Sequence, residues 1–352
     1  MPTMKLIPSL RSAAALALLL ALPAIAAAAP ARLLVFTQSK GFVHNPVKRG
    51  TSDLCLVERT LGEIAAESKA FTTVNSQKAE EALTRENLAK FDAVLFYTTG
   101  DLLPPDKDRQ ALIDFVSQGK SIIVVHSGTD TYPGFKPYIQ MVNGNFDGHP
   151  WNAGTLCTFT NHEPSHPIVS MYPAEFQFKD EIYQYKFYDP TAVRVLLSLN
   201  MAKNKPQMPW HVPVVWVREF GSGRVFVTNL GHNDATWKDA KFREHLLAGI
   251  RWAVRQTDGP AQPNAATHAL EAAKSFFVVA GAQTKQEWTD LLAKASGKVQ
   301  SDPAFVSLIH ESVAAYRKLP NPDPRKAKPE EVAAAAAKRT ELLNKVLAAL
   351  EK

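Results

Sequence analysis

Histidines beside turn-forming residues are the most informative chemical feature of this sequence. Ten histidines occur, and six of them lie between His126 and His232. Several of the six follow glycine or precede proline, which favours loops, where binding residues concentrate. Neutral imidazoles suit zinc and similar divalent ions. The spacing fits no compact zinc finger, so the fold would have to assemble a site, and zinc is the first expectation. The candidate metal ligands are His149, His162, His166 and His232; alternatively, each forms structural hydrogen bonds.

Candidate catalytic residues follow an apolar run over 122–125, which ends abruptly at His126, Ser127 and Gly128. Such a run is typical of a strand buried on both faces of a parallel sheet. These sheets bind ligands beyond the carboxyl ends of their strands. His126 is therefore a candidate general base or metal ligand, with a structural hydrogen-bonding role as the alternative. Ser127 could be a nucleophile only with a base in reach, and its surroundings lack the Gly-x-Ser-x-Gly pattern.

Asp180, Glu181 and Tyr183 form a second group of catalytic candidates. Adjacent strand residues point to opposite faces, so only one of the two carboxylates can face a cleft together with Tyr183. A carboxylate beside histidines could transfer a proton or orient an imidazole. The alternative for either carboxylate is a surface charge or a loop cap.

Substrate-binding candidates lie near the ends of other predicted strands. His44 lies in the loop after the first strand, and Thr99 ends the third. Trp151 offers an aromatic face of the kind that suits a sugar ring, and ordinary packing is the alternative that its residue type favours. Arg224 is either an anion-binding residue or part of a structural ion pair. No Gly-x-Gly-x-x-Gly segment follows the first strand and no P-loop occurs, so no nucleotide cofactor is expected.

Alternating strand and helix patterns predict an α/β fold, with a flavodoxin-like, doubly wound, mostly parallel sheet. The predicted strands of the first half are 32–37, 70–74, 91–98 and 120–126, and the predicted helices are 47–68, 76–90 and 105–118. The second half is richer in strands, at 156–160, 176–187, 193–197, 213–220 and 223–230, before a helix at 238–254.

A C-terminal, all-helical extension is predicted beyond a Pro- and Gly-containing linker. Helices are expected at 266–280, 284–295, 303–318 and 329–352. The predicted organisation is a signal peptide at 1–29, an α/β domain at 30–255, and a linker with helical extension at 256–352. The last helix has an apolar stripe that needs a partner surface, either the main domain or another subunit in a homo-oligomer.

Several motifs in fixed order resemble the ThuA-like (trehalose utilisation) family, a branch of the class I glutamine amidotransferase-like superfamily. They are Val125-His-Ser127, Asn145-Phe-Asp-Gly-His-Pro150, His162 with His166-Pro167, Asp180-Glu-Ile-Tyr183, Gly221-Ser-Gly-Arg-Val-Phe226 and Leu230-Gly-His232. The resemblance covers about Arg32 to Val254 and implies use of a disaccharide. The related amidotransferases place a nucleophilic cysteine where this chain has His126-Ser127-Gly128, which argues against cysteine-dependent glutaminase chemistry.

The N-terminus has the three parts of a secretory signal: a short basic start, an apolar stretch at 12–25, and small residues at 26–29. The alternative is a membrane anchor, but the apolar stretch is shorter than the roughly 20 residues that span a bilayer. A periplasmic or secreted protein is expected, with no membrane association after cleavage. Cys55 and Cys157 could then pair as a disulfide, or remain buried free thiols.

The net charge of +6 falls to +4 once Lys5 and Arg11 are removed with the signal. No dense basic stripe with interleaved aromatics occurs, so no nucleic-acid partner is expected. The expectation is an exported enzyme that hydrolyses, isomerises or eliminates from a small carbohydrate or keto-sugar through a His-rich cleft, with a divalent metal ion as the candidate cofactor. The alternative is a non-catalytic carbohydrate-binding or assembly protein.

Overall fold

A computed structural model of the chain describes residues 29–105, 107–280, 284–323 and 325–352. The predicted signal peptide therefore lies outside the described residues, apart from Ala29. The strands are β1 Ala31–Phe36, β2 Phe71–Ser76, β3 Ala93–Phe96, β4 Ser121–Val125, β5 Asn145–Phe146, β6 Leu156–Asn161, β7 Glu175–Lys179, β8 Tyr185–Lys186, β9 Arg194–Leu199, β10 Pro213–Phe220 and β11 Gly223–Thr228. The helices are α1 Leu56–Ser68, α2 Ala79–Ala82, α3 Arg85–Leu88, α4 Gln110–Ser117, α5 Lys136–Val142, α6 Ala240–Ala253, α7 Ala265–Ala280, α8 Lys285–Ser301, α9 Pro303–Lys318 and α10 Pro329–Leu350.

One large sheet organises the α/β domain, in the order β2-β1-β3-β4-β11-β10-β9-β6-β7. The first five strands of this order pair in parallel, and the remaining pairs are antiparallel. Because β10 and β6 alone are reversed in that sheet, seven of its nine strands run in one direction. The prediction of a mostly parallel α/β sheet is confirmed. Apolar clusters cover both faces of the sheet, so the central strands are buried on both sides.

The largest differences from the predicted elements occur where side chains hydrogen-bond to the backbone. The helix expected over 47–68 begins only at Leu56, because the Glu58 carboxylate accepts the Cys55 amide and caps the helix there. The segment expected as one helix over 76–90 forms two short helices, the second capped by Thr84. The strand expected over 176–187 is interrupted after Lys179, where the Asp180 carboxylate accepts backbone amides.

The helical extension, α7 to α10, has an apolar core of its own. Phe276, Ile309, Val346 and Leu350 are all buried in it. The stripe of the last helix is therefore covered within the chain, and its burial requires no second subunit. Asn264, just before α7, hydrogen-bonds both the amide and the carbonyl of Val195 in β9, which ties the extension to the start of this strand.

Two further findings concern the membrane and the cysteines. Among the described helices, none combines the length and the apolar character needed to cross a membrane. Cys55 and Cys157 are both buried free thiols, which is the second of the two alternatives drawn from the sequence.

Candidate functional site

Three histidines and one glutamate meet beyond the carboxyl ends of the parallel strands. They are His44, after β1; His126, after β4; Glu181, after β7; and His232, after β11. Each offers one ligand atom, and the four atoms all lie within 4.8 Å of one another. We call these four residues the His–Glu group. Four separate loops supply it, so the topology of the sheet, and not local spacing, brings the residues together.

His126 occupies a sharp turn directly after β4. Its φ of 45° is left-handed, and the next turn depends on Gly128, where a Cβ would lie 2.7 Å from the Phe96 carbonyl oxygen. The Nδ1 of His126 lies 2.8 Å from the carbonyl oxygen of Asn229. Because that oxygen can only accept, Nδ1 carries the proton and Nε2 has a free lone pair. Nε2 faces Nδ1 of His232 at 3.2 Å and Oε2 of Glu181 at 3.5 Å.

Asp180 and Glu181 divide two tasks between them, as alternation along an extended chain predicts. Glu181 faces the histidines: its Oε2 lies 3.0 Å from Nδ1 of His232, and its Oε1 lies 3.3 Å from Nδ1 of His149. Asp180 is fully buried and accepts hydrogen bonds from the amides of Gly231 and Asn233, at 2.7 and 3.0 Å. Asp180 therefore fixes the loop that carries His232 and touches no ring of the group.

His44 is held from two sides. Its Nε2 lies 3.1 Å from the hydroxyl of Tyr183, and its Nδ1 is buried with no hydrogen-bond partner in the described part of the chain. Its loop is fastened by Thr99, whose hydroxyl donates to the carbonyl of Phe42 at 2.9 Å and accepts the Gly41 amide at 3.3 Å. Thr99 thus supports the loop and is buried away from any cleft.

The electrostatics of the group centre on Glu181. Burial raises the pKa of this carboxyl, but the hydrogen bonds and charges of His126 and His232 outweigh it and lower the pKa overall. For His232, burial lowers the pKa, and the Glu181 carboxylate more than compensates, so the pKa is raised. Burial, followed by the neighbouring imidazoles, lowers the pKa of His44 to about 2. The centre therefore attracts positive charge near Glu181 and keeps His44 neutral.

The mouth of the group is open on the His232 side. A cavity of about 600 Å³ lies there, lined among others by Phe42, Asn45, Lys179, His232 and Asp234. The Phe42 ring is 68% exposed and packs edge-on against His44, with centroids 4.8 Å apart. A second rim residue is His149, whose side chain is 49% exposed. A ligand in this cavity would meet the aromatic ring of Phe42 and the imidazole of His232.

Two predicted metal ligands do not join the group. Nε2 of His162 bonds the Ser198 hydroxyl at 2.7 Å. His166 contacts the linker, with Nε2 3.3 Å from the Pro260 carbonyl oxygen and Nδ1 accepting the Ile168 amide. Of the four predicted ligands, only His232 belongs to the His–Glu group, and His149 contacts that group through Glu181. The other members, His44, His126 and Glu181, were not predicted as metal ligands in that set.

Three other candidates take no part in the His–Glu group. Arg224 is at the opposite end of β11, paired with Ser121 at the start of β4, and its guanidinium donates to the Trp252 carbonyl. Ser127 is buried, and its hydroxyl has no base or other partner among the described residues. Trp151 is fully buried in the core and presents no face to a cleft. Packing and backbone hydrogen bonds account for Arg224 and Trp151.

Sequence reasoning missed two positioning residues, Asn229 and Tyr97. The Asn229 carbonyl fixes the tautomer of His126, and its side chain bonds the backbone of Tyr183 at both the amide and the carbonyl. The Tyr97 hydroxyl donates to the Gly231 carbonyl at 3.0 Å. The signal for Asn229 is its place directly after a buried strand, where a fully buried amide needs several partners.

The fold and this loop-built centre define an α/β protein in which a His–Glu group lies beyond the carboxyl ends of the strands. Residues 32–253 match the family model described as ThuA, trehalose utilisation, and the chain belongs to that family. No curated protein matches the sequence.

The solved structures that share the fold include two ThuA-like proteins. A putative ThuA-like protein from Bacteroides uniformis is 19% identical, with a TM-score of 0.52 over 66% of this chain and 95% of that one. A putative ThuA-like protein from Parabacteroides merdae is 18% identical, with a TM-score of 0.51 over 65% of this chain and 91% of that one. The fold is thus shared across most of those chains, and about a third of the present chain lies outside the aligned part.

Proposed function

We propose that the His–Glu group binds a divalent metal ion, zinc first, and that the protein is an exported enzyme acting on a small carbohydrate or keto-sugar. The observation that carries the proposal is the triangle formed by His126 Nε2, His232 Nδ1 and Glu181 Oε2. Its sides measure 3.0, 3.2 and 3.5 Å. Ligands about 2.0–2.1 Å from a tetrahedral zinc ion are separated by roughly 3.3–3.4 Å, so the triangle has the dimensions of one face of such a site.

The surroundings of the imidazoles support the same assignment. Metal-binding histidines usually donate their second ring N–H to a carbonyl or a carboxylate, which fixes the tautomer. His126 does so to the Asn229 carbonyl, leaving Nε2 as a free donor of electrons. His44 has one nitrogen on the Tyr183 hydroxyl and a buried second nitrogen without a described partner. A bound cation would also compensate the buried charge of Glu181.

The residues around the group support action on a carbonyl-bearing or polyhydroxylated substrate. A bound divalent ion would polarise an oxygen of the substrate. His149, on the rim and 3.3 Å from Glu181, is positioned to accept or donate a proton there. Phe42 offers an exposed aromatic face beside His44, suited to the apolar face of a sugar ring. The family description, trehalose utilisation, supports carbohydrate as the substrate class.

The metal assignment is tested by elemental analysis of the purified protein and by zinc titration of metal-stripped protein. Wild-type protein should bind one zinc ion per chain and gain about 2.7 kcal/mol of stability at a zinc concentration of 100 times Kd. Glu181→Gln and His232→Ala should each lose most of this gain. Glu311→Gln, an exposed carboxylate on α9, is the matched control and should behave as wild type. Absence of zinc-dependent stabilisation in the wild-type protein would refute the metal site.

The enzymatic part is tested separately. A neutral disaccharide and its oxidised, carbonyl-bearing counterpart are incubated with the zinc-loaded protein, and products are followed by NMR. Turnover that disappears in His149→Ala would support catalysis at this centre. Binding of either sugar without turnover would instead favour the non-catalytic alternative.

Mass spectrometry of the mature protein from the periplasm or medium tests export, and a new N-terminus between about Ala27 and Arg32 is expected.

A further inference from the structure

A second group of histidines lies between the α/β domain and the helical extension. His211 comes from the segment before β10, His268 from α7 and His310 from α9; we call these three residues the interdomain histidines. They line a cavity of about 700 Å³, together with Tyr188, Trp210 and Ala314. Neither the domain nor the extension forms this cavity alone, since each contributes one side of it.

The interdomain histidines leave hydrogen-bonding capacity unused. Nδ1 of His211 lies 3.1 Å from Nδ1 of His268, so one of the two nitrogens donates and the other accepts. The Nε2 atoms of His211 and His310 are buried without a hydrogen-bond partner among the described residues. A buried polar atom left without a partner is costly, and native proteins rarely retain one without water or a ligand to satisfy it.

The charges around this cavity balance. Its lining contains three cationic side chains, Lys186, Arg317 and Lys318, and three anionic ones, Asp147, Asp189 and Glu311. Arg317 is already paired with Asp147 at 2.7 Å. The interdomain histidines also do not form a set of ligand atoms within 4.8 Å of one another, unlike the His–Glu group. The cavity therefore favours a neutral ligand over an anion or a metal ion.

Aromatic side chains form part of the cavity wall. Trp210 lies beside Tyr316, with centroids 6.3 Å apart, and under the guanidinium of Arg317 at 5.1 Å. Phe187 stands at the rim, 68% exposed, in a strained left-handed backbone conformation with φ 57°. Burial lowers the pKa values of the interdomain histidines, so the imidazoles are neutral at pH 7 and each presents one donor and one acceptor. A hydroxyl group can likewise both donate and accept a hydrogen bond.

We propose that the interdomain cavity binds a neutral, polyhydroxylated ring, that is, an uncharged saccharide, at a second site distinct from the His–Glu group. Its apolar face would lie on the aromatic side chains of the wall. The free imidazole nitrogens are buried beneath the cavity surface, so pairing with ligand hydroxyls requires the rings to turn toward the ligand. Asp147, which lines this cavity, is two residues from His149 on the rim of the His–Glu group. The second site would therefore hold a saccharide next to the first centre. The proposal does not depend on a metal ion at the first centre.

The test uses the full-length mature protein and isothermal titration with trehalose, maltose and glucose. All measurements are made in Glu181→Gln protein as well as wild type, so that binding at the first centre is separated from binding in the cavity. Ala314→Trp places a large side chain in the cavity from an exposed helical position and should weaken saccharide binding at least about tenfold. Ala336→Trp, at an exposed position of α10 away from the cavity, is the matched control and should leave binding unchanged.

A second variant removes a hydrogen-bonding group and leaves the cavity open. His310→Leu should weaken binding about three- to tenfold, the usual loss for one hydrogen bond. Binding that survives Ala314→Trp undiminished would overturn the proposal, as would failure of all three saccharides to bind. Tighter binding of glucose 6-phosphate than of glucose would overturn the neutral-ligand assignment. If Glu181→Gln protein loses zinc binding and still binds a saccharide, the saccharide binds in the interdomain cavity independently of the metal site at the His–Glu group.

Discussion

The two histidine groups of this protein differ in one side chain, a buried carboxylate. At the His–Glu group, the oxygens of Glu181 lie 3.0 and 3.5 Å from ring nitrogens of His232 and His126, and 3.3 Å from Nδ1 of His149 on the rim. Among the interdomain histidines, the nearest contact joins two imidazoles, His211 and His268, at 3.1 Å. The first group lies on loops beyond the carboxyl ends of the strands, and the second lies between the sheet and two helices. Similar residues therefore meet in different electrostatic surroundings.

The difference determines what each group can bind. A buried carboxylate raises the pKa of His232 and needs a compensating charge, so the first group attracts a proton or a metal ion. No carboxylate raises the pKa of His268: burial lowers it to about 3, with His310 and His162 contributing and the Val193 carbonyl opposing. The second group therefore remains neutral and offers hydrogen bonds only. Counting histidines in a sequence cannot separate these two cases.

Among the variants that test this difference between the two groups, Asp180→Asn should have the largest effect on zinc binding. Asp180 accepts four hydrogen bonds, from the amides of Glu181, Gly231 and Asn233 and from the Thr236 hydroxyl. An amide group would turn a donor toward these donors and displace the loop that carries His232. Zinc affinity should fall about 10- to 100-fold, the usual effect of losing a supporting contact behind a ligand. Zinc titration measures it.

The control for that experiment is saccharide binding at the interdomain cavity, which should stay within about twofold of wild type. A parallel loss at both sites would show general unfolding, and unchanged zinc affinity would contradict the positioning role of Asp180. Circular dichroism at the working temperature distinguishes a folded variant with a displaced loop from an unfolded one.

An intermediate effect is expected from pH at the second group. His268 is neutral in the folded protein because its pKa is about 3, whereas in the unfolded chain its pKa is about 6.5. The unfolded state therefore binds more protons as pH falls below 6.5, and stability is lost over the range from 6.5 down to 3. At pH 5 this histidine alone should cost about 2 kcal/mol relative to high pH.

His268→Gln tests that cost, because glutamine can hydrogen-bond but does not titrate in this range. The free energy of unfolding of wild type and variant is measured by urea denaturation at pH 7.5 and pH 5. The variant should lose about 2 kcal/mol less than wild type between the two pH values, whatever its stability at pH 7.5. Equal losses would show that another group near this ring, such as His211, His310 or His162, carries the pH dependence.

Much of the fold followed from pattern because hydrophobic periodicity is a local property. The run at 122–125 marked β4, and the Gly-Ser-Gly between β10 and β11 marked a hairpin, both as observed. The errors came from side chains that bind the backbone: Glu58 delays α1, and Asp180 ends β7. A carboxylate can cap, pair or ligate, and its sequence neighbours do not determine which.

The candidate site was predictable in part, for a topological reason. His126 and His232 follow parallel neighbours, β4 and β11, so their meeting could be expected from the order of elements. His162 and His166 looked similar in sequence, but the loop after β6, a reversed strand, carries them to the linker side. The sequence pattern did not predict that β10, β9, β6 and β7 pair in antiparallel fashion. That pairing determines which histidines lie at the same end of the sheet.

The smallest effect is expected from Arg317→Gln, which tests whether the two groups influence each other. Arg317 contacts residues near both groups: it donates to Asp147 at 2.7 Å, in the loop that leads to His149, and its guanidinium covers Trp210. The pair is partly exposed, with 25% and 42% of the side-chain surfaces accessible, so its loss should cost at most about 1 kcal/mol of stability. His149 is not one of the four residues of the His–Glu group, and zinc affinity should therefore stay within about twofold of wild type. Arg325→Gln removes a more exposed arginine–aspartate pair and serves as the control. A tenfold fall in zinc affinity in Arg317→Gln alone would mean that the extension positions the first centre, and the two groups would then have to be treated as one coupled site.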